Sequence, residues 1–307
     1  MSDRHRFQQL HIDVARNSTD DFNPFHDPRR YGRIVGSPYP RPIALGFQLE
    51  CLCAYLLDWY RDAAGEGRLL EELGLRFRNF QFTFADAVCC DEYFDVEVRA
   101  SVRRDDPRTI SNRIVVRKEG RPALLGQVRD TQVPLVLTDV ELPPDLDLRH
   151  APDRSRIPGT AYFLKRKFLN TANAKNFLAG SLADQAYYLD ELDERVRFPD
   201  LFPCALASCA LLEKAWSVGH DFMASPMVYV AHAIAVDREL ALALRSNDVL
   251  HMLVEGPLPV RTGGGLGGPD LGLQRYRCFG VVRSDALLYR AEIDLAPLAA
   301  IACPARP

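Results

Sequence analysis

The run Pro42-Ile43-Ala44-Leu45-Gly46-Phe47-Gln48-Leu49, leading into the apolar stretch Cys51 to Tyr60, decides how this chain is read. Residues Ile43, Phe47, Leu49, Leu52, Cys53, Leu56, Leu57 and Tyr60 recur at spacings of three and four, the period of a helix buried on one face. Pro42 stands where a first-turn proline stands, so the pattern predicts a helix over 43–61. Gly46 near its start lets a ligand approach the backbone closely. The first N–H groups of a helix have no partner within it, which suits an oxygen gaining negative charge. The same glycine is equally suited to tight helix–sheet packing.

Downstream, residues 73–84 alternate in Leu75-Arg76-Phe77-Arg78 and in Phe80-Gln81-Phe82-Thr83-Phe84. With 93–102, 109–117 and 123–137 they read as strands of a half-buried antiparallel sheet. Asp105-Asp106-Pro107 and Lys118-Glu119-Gly120 read as turns. Residues 142–159, rich in Pro and charge, read as a linker. The order then restarts. Phe168 to Asn176 echoes the region before the first helix, a second apolar helix is expected over 203–218, and 228–236, 240–255 and 273–293 supply strands. This predicts an N-terminal unit over 1–141 and a C-terminal unit over 160–307. Gly263-Gly264-Gly265-Leu266-Gly267-Gly268-Pro269 has no Lys-Ser/Thr after it, so it reads as a connection or lid rather than a phosphate loop.

Upstream lies Asp21-Phe22-Asn23-Pro24-Phe25-His26. Pro24 holds its own φ and pushes Asn23 to an extended conformation, so a helix here is disfavoured and the two polar ends can turn to one point. His exchanges a proton near neutral pH, and a carboxylate can hold a water or take its proton. Such a pair can add water across an activated double bond or remove it. An Asx-Pro turn with no chemistry is the bland alternative.

Together the two segments resemble the MaoC-like, (R)-specific enoyl-CoA hydratases (hydratase 2). Thr19 to His26 is similar to that family's Asp-x-Asn-Pro-x-His motif, and Pro42 to Phe47 to the stretch opening its central helix. Asp20 stands for the usual Gly, Phe25 for a smaller aliphatic residue and Leu45 for a His. The resemblance implies an α+β double hotdog, two long helices each wrapped by an antiparallel sheet, and a lyase acting as hydratase or dehydratase in fatty acid or polyketide metabolism. It implies Asp21 and His26 as the catalytic pair, with Gly46, Asn23, Leu45 and Phe47 at the oxyanion and substrate site. The substrate would be an acyl thioester, with coenzyme A or phosphopantetheine as part of it and an acyl carrier protein as a partner; no separate cofactor is implied. The second half lacks the motif, so one active site is expected, with an internal pseudo-dimer and a homodimer left open. Double-hotdog hydratases often keep their site in the C-terminal half; the doubling then implies the opposite arrangement here. A hotdog acyl thioesterase and a non-catalytic acyl-binding or assembly subunit are the alternatives. Small residues Ala205, Ala207, Ser208 and Ala210 suggest that the pocket extends into the second half and takes a medium, long or bulky acyl group.

Composition agrees with a soluble enzyme. The 307 residues, 47% hydrophobic, can bury one large core or two moderate ones. A net charge of −3 gives no drive towards nucleic acid or a membrane. No apolar run has membrane length, and the polar start lacks a signal-peptide core, so a cytoplasmic location is expected. Of 38 basic residues only Lys118, Lys165, Lys167, Lys175 and Lys214 are lysine, but the arginines are spread along the chain rather than gathered as a phosphate site. The eight cysteines lie mostly in apolar segments and read as reduced, buried thiols, without finger spacing for a metal.

Overall fold

The computed structural model describes residues 4–144, 146–260, 272–283 and 285–301. Its first half holds β1 (Arg4–Arg6), α1 (Gln9–Thr19), α2 (Gly46–Ala63), α3 (Leu69–Glu72), β2 (Phe77–Phe84), β3 (Tyr93–Val98), β4 (Val102–Asp105), β5 (Arg108–Lys118) and β6 (Arg121–Thr131). There follow β7 (Ser155–Arg156), β8 (Phe163–Phe168), α4 (Thr171–Gly180), α5 (Gln185–Tyr188), the ribbon β9 (Leu189–Asp190) and β10 (Arg195–Val196), α6 (Leu201–Ala205) and α7 (Ala207–Ser217). The chain closes with β11 (Met227–Asp237), α8 (Arg238–Leu242), β12 (Val249–Pro259), β13 (Gln274–Val282), β14 (Ala286–Pro297) and α9 (Leu298–Ile301).

Twelve strands form one antiparallel sheet in the order β1-β3-β5-β6-β2-β11-β14-β13-β12-β8-β7, with β4 beside β5. The halves meet where β2 pairs β11, Phe77 opposite Asp237 through Thr83 opposite Ala231. The inner faces of β2 and β11 place Phe80, Phe82, Ile234 and Val236 in one core with Leu52 and Leu57 of α2 and Ala207 and Ala210 of α7. Helix α2 packs against β3 of the first half, and α7 against β8 and β12 of the second, with α6 between α2 and α7. This is an α+β double hotdog.

Buried charges also cross the seam. Arg78 of β2 donates to Asp130 of β6 (3.0 Å), to Asp58 of α2 (2.7 Å) and to Asp200 just before α6 (3.2 Å). Arg61 of α2 completes the set on Asp130 at 2.5 Å. All five side chains are buried, and each charge faces opposite charge, the condition under which buried ions are tolerated.

Several elements differ from the sequence pattern. Helix α2 begins at Gly46, not Ile43, because the residues before it are stitched into extended backbone. The Ile43 N–H bonds Phe25 O (3.1 Å), the Ala44 N–H bonds Val88 O (2.8 Å), and Pro42 O accepts from the Cys90 N–H (2.7 Å). Pro42 therefore precedes the helix rather than occupying its first turn. The second helix bends at Leu206, which keeps helical dihedrals of −64° and −18°. Residues 240–248 are not strand, because Asp237 caps α8 through the Glu239 and Leu240 N–H groups. Strand β6 stops at Thr131, where Asn79 takes over: its amide donates to Thr131 Oγ1 (2.8 Å) and its Oδ1 accepts from the Leu135 N–H (2.8 Å). The region 273–293 is two strands, and the glycine run 263–268 lies outside the described residues. The Pro-rich stretch 142–159 does not run free: Leu148, Ala151 and Ile157 pack with Leu164, Leu253 and Phe279 in a second cluster.

Candidate active site

Helix α1, which the sequence pattern did not predict, carries the Asp21–His26 loop. It packs on α4 so closely that a Cβ on Gly180 would lie 2.8 Å from Ala15 N and from His11 O. The helix closes at Asp20, whose φ of +53° is the left-handed conformation that glycine usually supplies and Asp tolerates. Its carboxylate pairs with Lys167 of β8, so the extra charge in the turn is neutralised by the other half. The Asp21 N–H then bonds Arg16 O at 2.8 Å.

Side chains set the rest of the loop. Asp21 Oδ1 accepts from the Asn23 N–H (2.9 Å), and Asn23 Oδ1 accepts from the Phe25 N–H (3.2 Å), which caps a 3₁₀ turn over Pro24–His26. His26 Nδ1 lies 2.8 Å from Ile43 O. A carbonyl only accepts, so Nδ1 carries the proton and Nε2 of the neutral ring keeps its lone pair. Asp21 and His26 are both about 5% exposed.

The opening of α2 is equally tied down. The Leu45 N–H donates to Gln48 Oε1 (3.2 Å), while Gln48 Nε2 donates to Gly180 O (2.6 Å). The amides of Ile43, Ala44 and Leu45 are thus spent, and the helix's own first donors begin at Gly46. A Cβ there would meet Phe84 Cζ at 3.0 Å. This glycine is thus tightly packed and also on the cavity side of the helix's first turn.

A cavity of about 500 Å³ lies in front of these groups. Asn23, His26, Leu45 and Gly46 line it; Asp21 and Phe47 do not. His26 stands on the wall, and Asp21 lies behind it, near enough to Tyr229 for its charge to act on that phenol. Phe47 instead stacks on His232 at 4.6 Å. His232 Nδ1 in turn sits 2.8 Å from Glu50 Oε1, both side chains fully buried, and burial raises the Glu50 carboxyl. The rest of the wall is mostly apolar, with Phe25, Ile43, Leu49 and Phe84 from the first half and Leu211, Leu212, Ala215, Phe222 and Tyr229 from the second. The cavity does reach the second half, but not through the small residues expected to make room. Ala205, Ala207, Ser208 and Ala210 are packed in the interior and off the wall, as close helix–sheet packing requires.

Sequence reasoning missed Tyr229, His220 and Phe222 as wall residues. Nothing local marks them: Tyr229 comes in on β11, and the loop holding His220 and Phe222 is brought to the first half by the Val35 N–H on Met223 O and by Phe22 against Phe222. Burial pushes the Tyr229 phenol far up, with the nearby Asp21 charge adding to it and the Ser208 hydrogen bond opposing it. Burial also raises the Tyr39 phenol, on the same wall, to about 12. The buried thiols Cys51 and Cys209 are likewise held up at about 12 by burial. Among the described residues, no three His, Cys, Asp or Glu side chains gather as a metal site, and no helix is long and apolar enough to cross a membrane.

No protein-family profile matches the sequence, and no curated protein does. Solved structures do match in fold. A MaoC-like dehydratase aligns with a TM-score of 0.57 at 11% identity, over 96% of each chain. Rv0216 of Mycobacterium tuberculosis, a conserved hypothetical protein with a double hotdog fold, aligns at 0.56 and 11% identity, over 96% of this chain and 94% of that one. A Lactobacillus plantarum protein assigned as an oleoyl thioesterase aligns at 0.52 and 11% identity, over 96% and 95%. At such identities the likeness is one of fold.

Proposed function

We propose that this chain is a MaoC-like hydratase that interconverts 2-enoyl and (R)-3-hydroxyacyl thioesters, carried on coenzyme A or an acyl carrier protein, with Asp21 and His26 as its acid–base pair. The observation that carries this reading is the 2.8 Å contact of His26 Nδ1 with the Ile43 carbonyl, which leaves Nε2 as the ring's other nitrogen, on a cavity wall shared with Gly46 at the start of α2. In the hydration direction Nε2 takes a proton from a water whose oxygen bonds C3 of the enoyl group. Electron density moves to the thioester oxygen, where the Gly46 N–H stabilises it, and C2 then takes a proton back from the imidazolium, which regenerates the neutral ring. Asp21, anchored behind the wall through Oδ1 on the Asn23 N–H, supplies the negative charge that favours protonation of the ring. These proton transfers need no cofactor beyond the carrier of the thioester.

A thioesterase on the same fold would instead set water on the carbonyl carbon with a carboxylate. His26 on the wall, at the Asp-x-Asn-Pro-x-His spacing of the hydratase motif, favours the hydratase. A cavity of about 500 Å³ falls in the range of pockets that enclose a drug-sized ligand, and the reading is therefore of a medium, long or bulky acyl chain. The deciding experiment offers 2-enoyl-CoA substrates from crotonyl to decenoyl and follows enoyl absorbance and free thiol together. Loss of absorbance without thiol is the expected result. Thiol release would make it a thioesterase, and neither signal would make it a binder.

A further inference from the structure

Tyr229 reaches the cavity from the opposite half of the molecule. It lies on β11, and a Cβ on Gly46 would come within 3.5 Å of its ring, so the phenol stands beside the opening of α2. Its ring meets His232 edge-on at 4.6 Å and Phe47 edge-on at 6.3 Å, which fixes its orientation. Its hydroxyl is 3.0 Å from Ser208 Oγ in the first turn of α7. The phenol thus bridges the starts of the two central helices on an otherwise mostly apolar wall. Burial keeps it protonated, so it is a hydrogen-bond donor throughout the neutral range. When Ser208 donates to the phenol oxygen, the single phenol proton is left for an oxygen in the cavity.

We infer that Tyr229 is a catalytic residue of this site, donating to the thioester oxygen as the partner of the Gly46 N–H, and that Ser208 is the positioning residue behind it. The inference rests on the hydratase reading above. It makes the second half a contributor to the chemistry rather than a scaffold. No covalent step is added: the phenol proton stays on its oxygen while charge grows on the thioester oxygen and decays again.

The test is steady-state kinetics of Tyr229→Phe, Ser208→Ala and the double variant on the enoyl thioester that the wild type prefers, with melting curves to confirm folding. Loss of one oxyanion donor predicts a fall in kcat of roughly a hundredfold for Tyr229→Phe, with KM changed by less than about threefold because the contact strengthens in the transition state. Ser208→Ala should cost about tenfold, the scale of one hydrogen bond, and nothing further in the Tyr229→Phe background, since it acts only through that hydroxyl. A folded Tyr229→Phe that keeps more than a third of wild-type kcat overturns the inference and leaves Asp21 and His26 in place. If Tyr229→Phe does not fold, an unchanged kcat in Ser208→Ala overturns it. A wild type that hydrates none of the enoyl thioesters overturns the hydratase reading and this inference together.

Discussion

His26 shows how one backbone contact sets the chemistry of a side chain. The Ile43 carbonyl holds the proton on Nδ1, so the ring presents a basic nitrogen. Ile43 is itself fixed through the Phe25 carbonyl, which ties the motif loop to the strand-like residues before α2. If Asp21 and His26 act as a pair, Asp21→Asn and His26→Ala should each lower kcat by roughly a hundredfold or more, the scale of a lost acid–base group. Near-full turnover in either folded variant would remove that residue from the pair. Asp20 carries no such burden. Its left-handed φ and its Lys167 partner explain why a charged residue is accepted where the hydratase motif usually has Gly.

Among the elements, α1 and α7 decide most about the site. Gly180 allows α1 to lie against α4, and its carbonyl receives Gln48 from the start of α2. A methyl group at this position meets backbone atoms of α1, so Gly180→Ala should cost about 1–3 kcal/mol, the usual cost of overpacking. Because α1 leads directly into Asp21, the same variant should also lose turnover; an unchanged melting midpoint would show that the two helices can separate without cost. Helix α7 sets the far end of the cavity through Leu211, Leu212 and Ala215. Ala215→Phe should shorten that end and move the kcat/KM preference from C10 towards C4 enoyl thioesters. A preference unchanged by the substitution would place the acyl chain elsewhere.

At the level of the whole molecule, the two halves share one sheet, one core and one buried charge network. Burial alone would raise the Asp130 carboxyl, but the Arg78 and Arg61 guanidinium groups hold it down at about 2. A depressed carboxyl contributes stability that is present above its unfolded value of about 3.9 and is lost as pH falls from there towards about 2. Asp130→Asn leaves Arg78 and Arg61 short of a counter-charge and should cost about 3–5 kcal/mol at pH 7, the scale of a broken buried pair. Denaturant unfolding between pH 7 and pH 2.5 checks the sign: the gap between wild type and variant should narrow below pH 4. A gap constant with pH would mean that the carboxylate charge does not stabilise this seam.

The sequence by itself determined the architecture and the location of its motif. Three- and four-residue periodicity over Ile43 to Tyr60, strict alternation in Phe80 to Phe84 and a repeat of the same order after residue 159 are local patterns, and local patterns survive into the fold because each element buries its own apolar face. Proline at 24 kept the motif out of a long helix for an equally local reason. Element ends were less legible: α2 starts three residues late because distant carbonyls took the amides before it, and β6 ends early because Asn79 from a neighbouring strand caught the chain. The wall of the cavity was decided by tertiary structure alone. Tyr229 stands beside Gly46, 183 positions away in number, only because β11 pairs β2 and turns that ring inward against Phe47 and His232. Asp21, conspicuous in the sequence, lies behind the wall with its carboxylate anchored on the Asn23 N–H. A pattern along the chain reports which residues are buried or catalytic in kind; which of them share one cavity depends on strand register, and register is set by the packing of both halves at once.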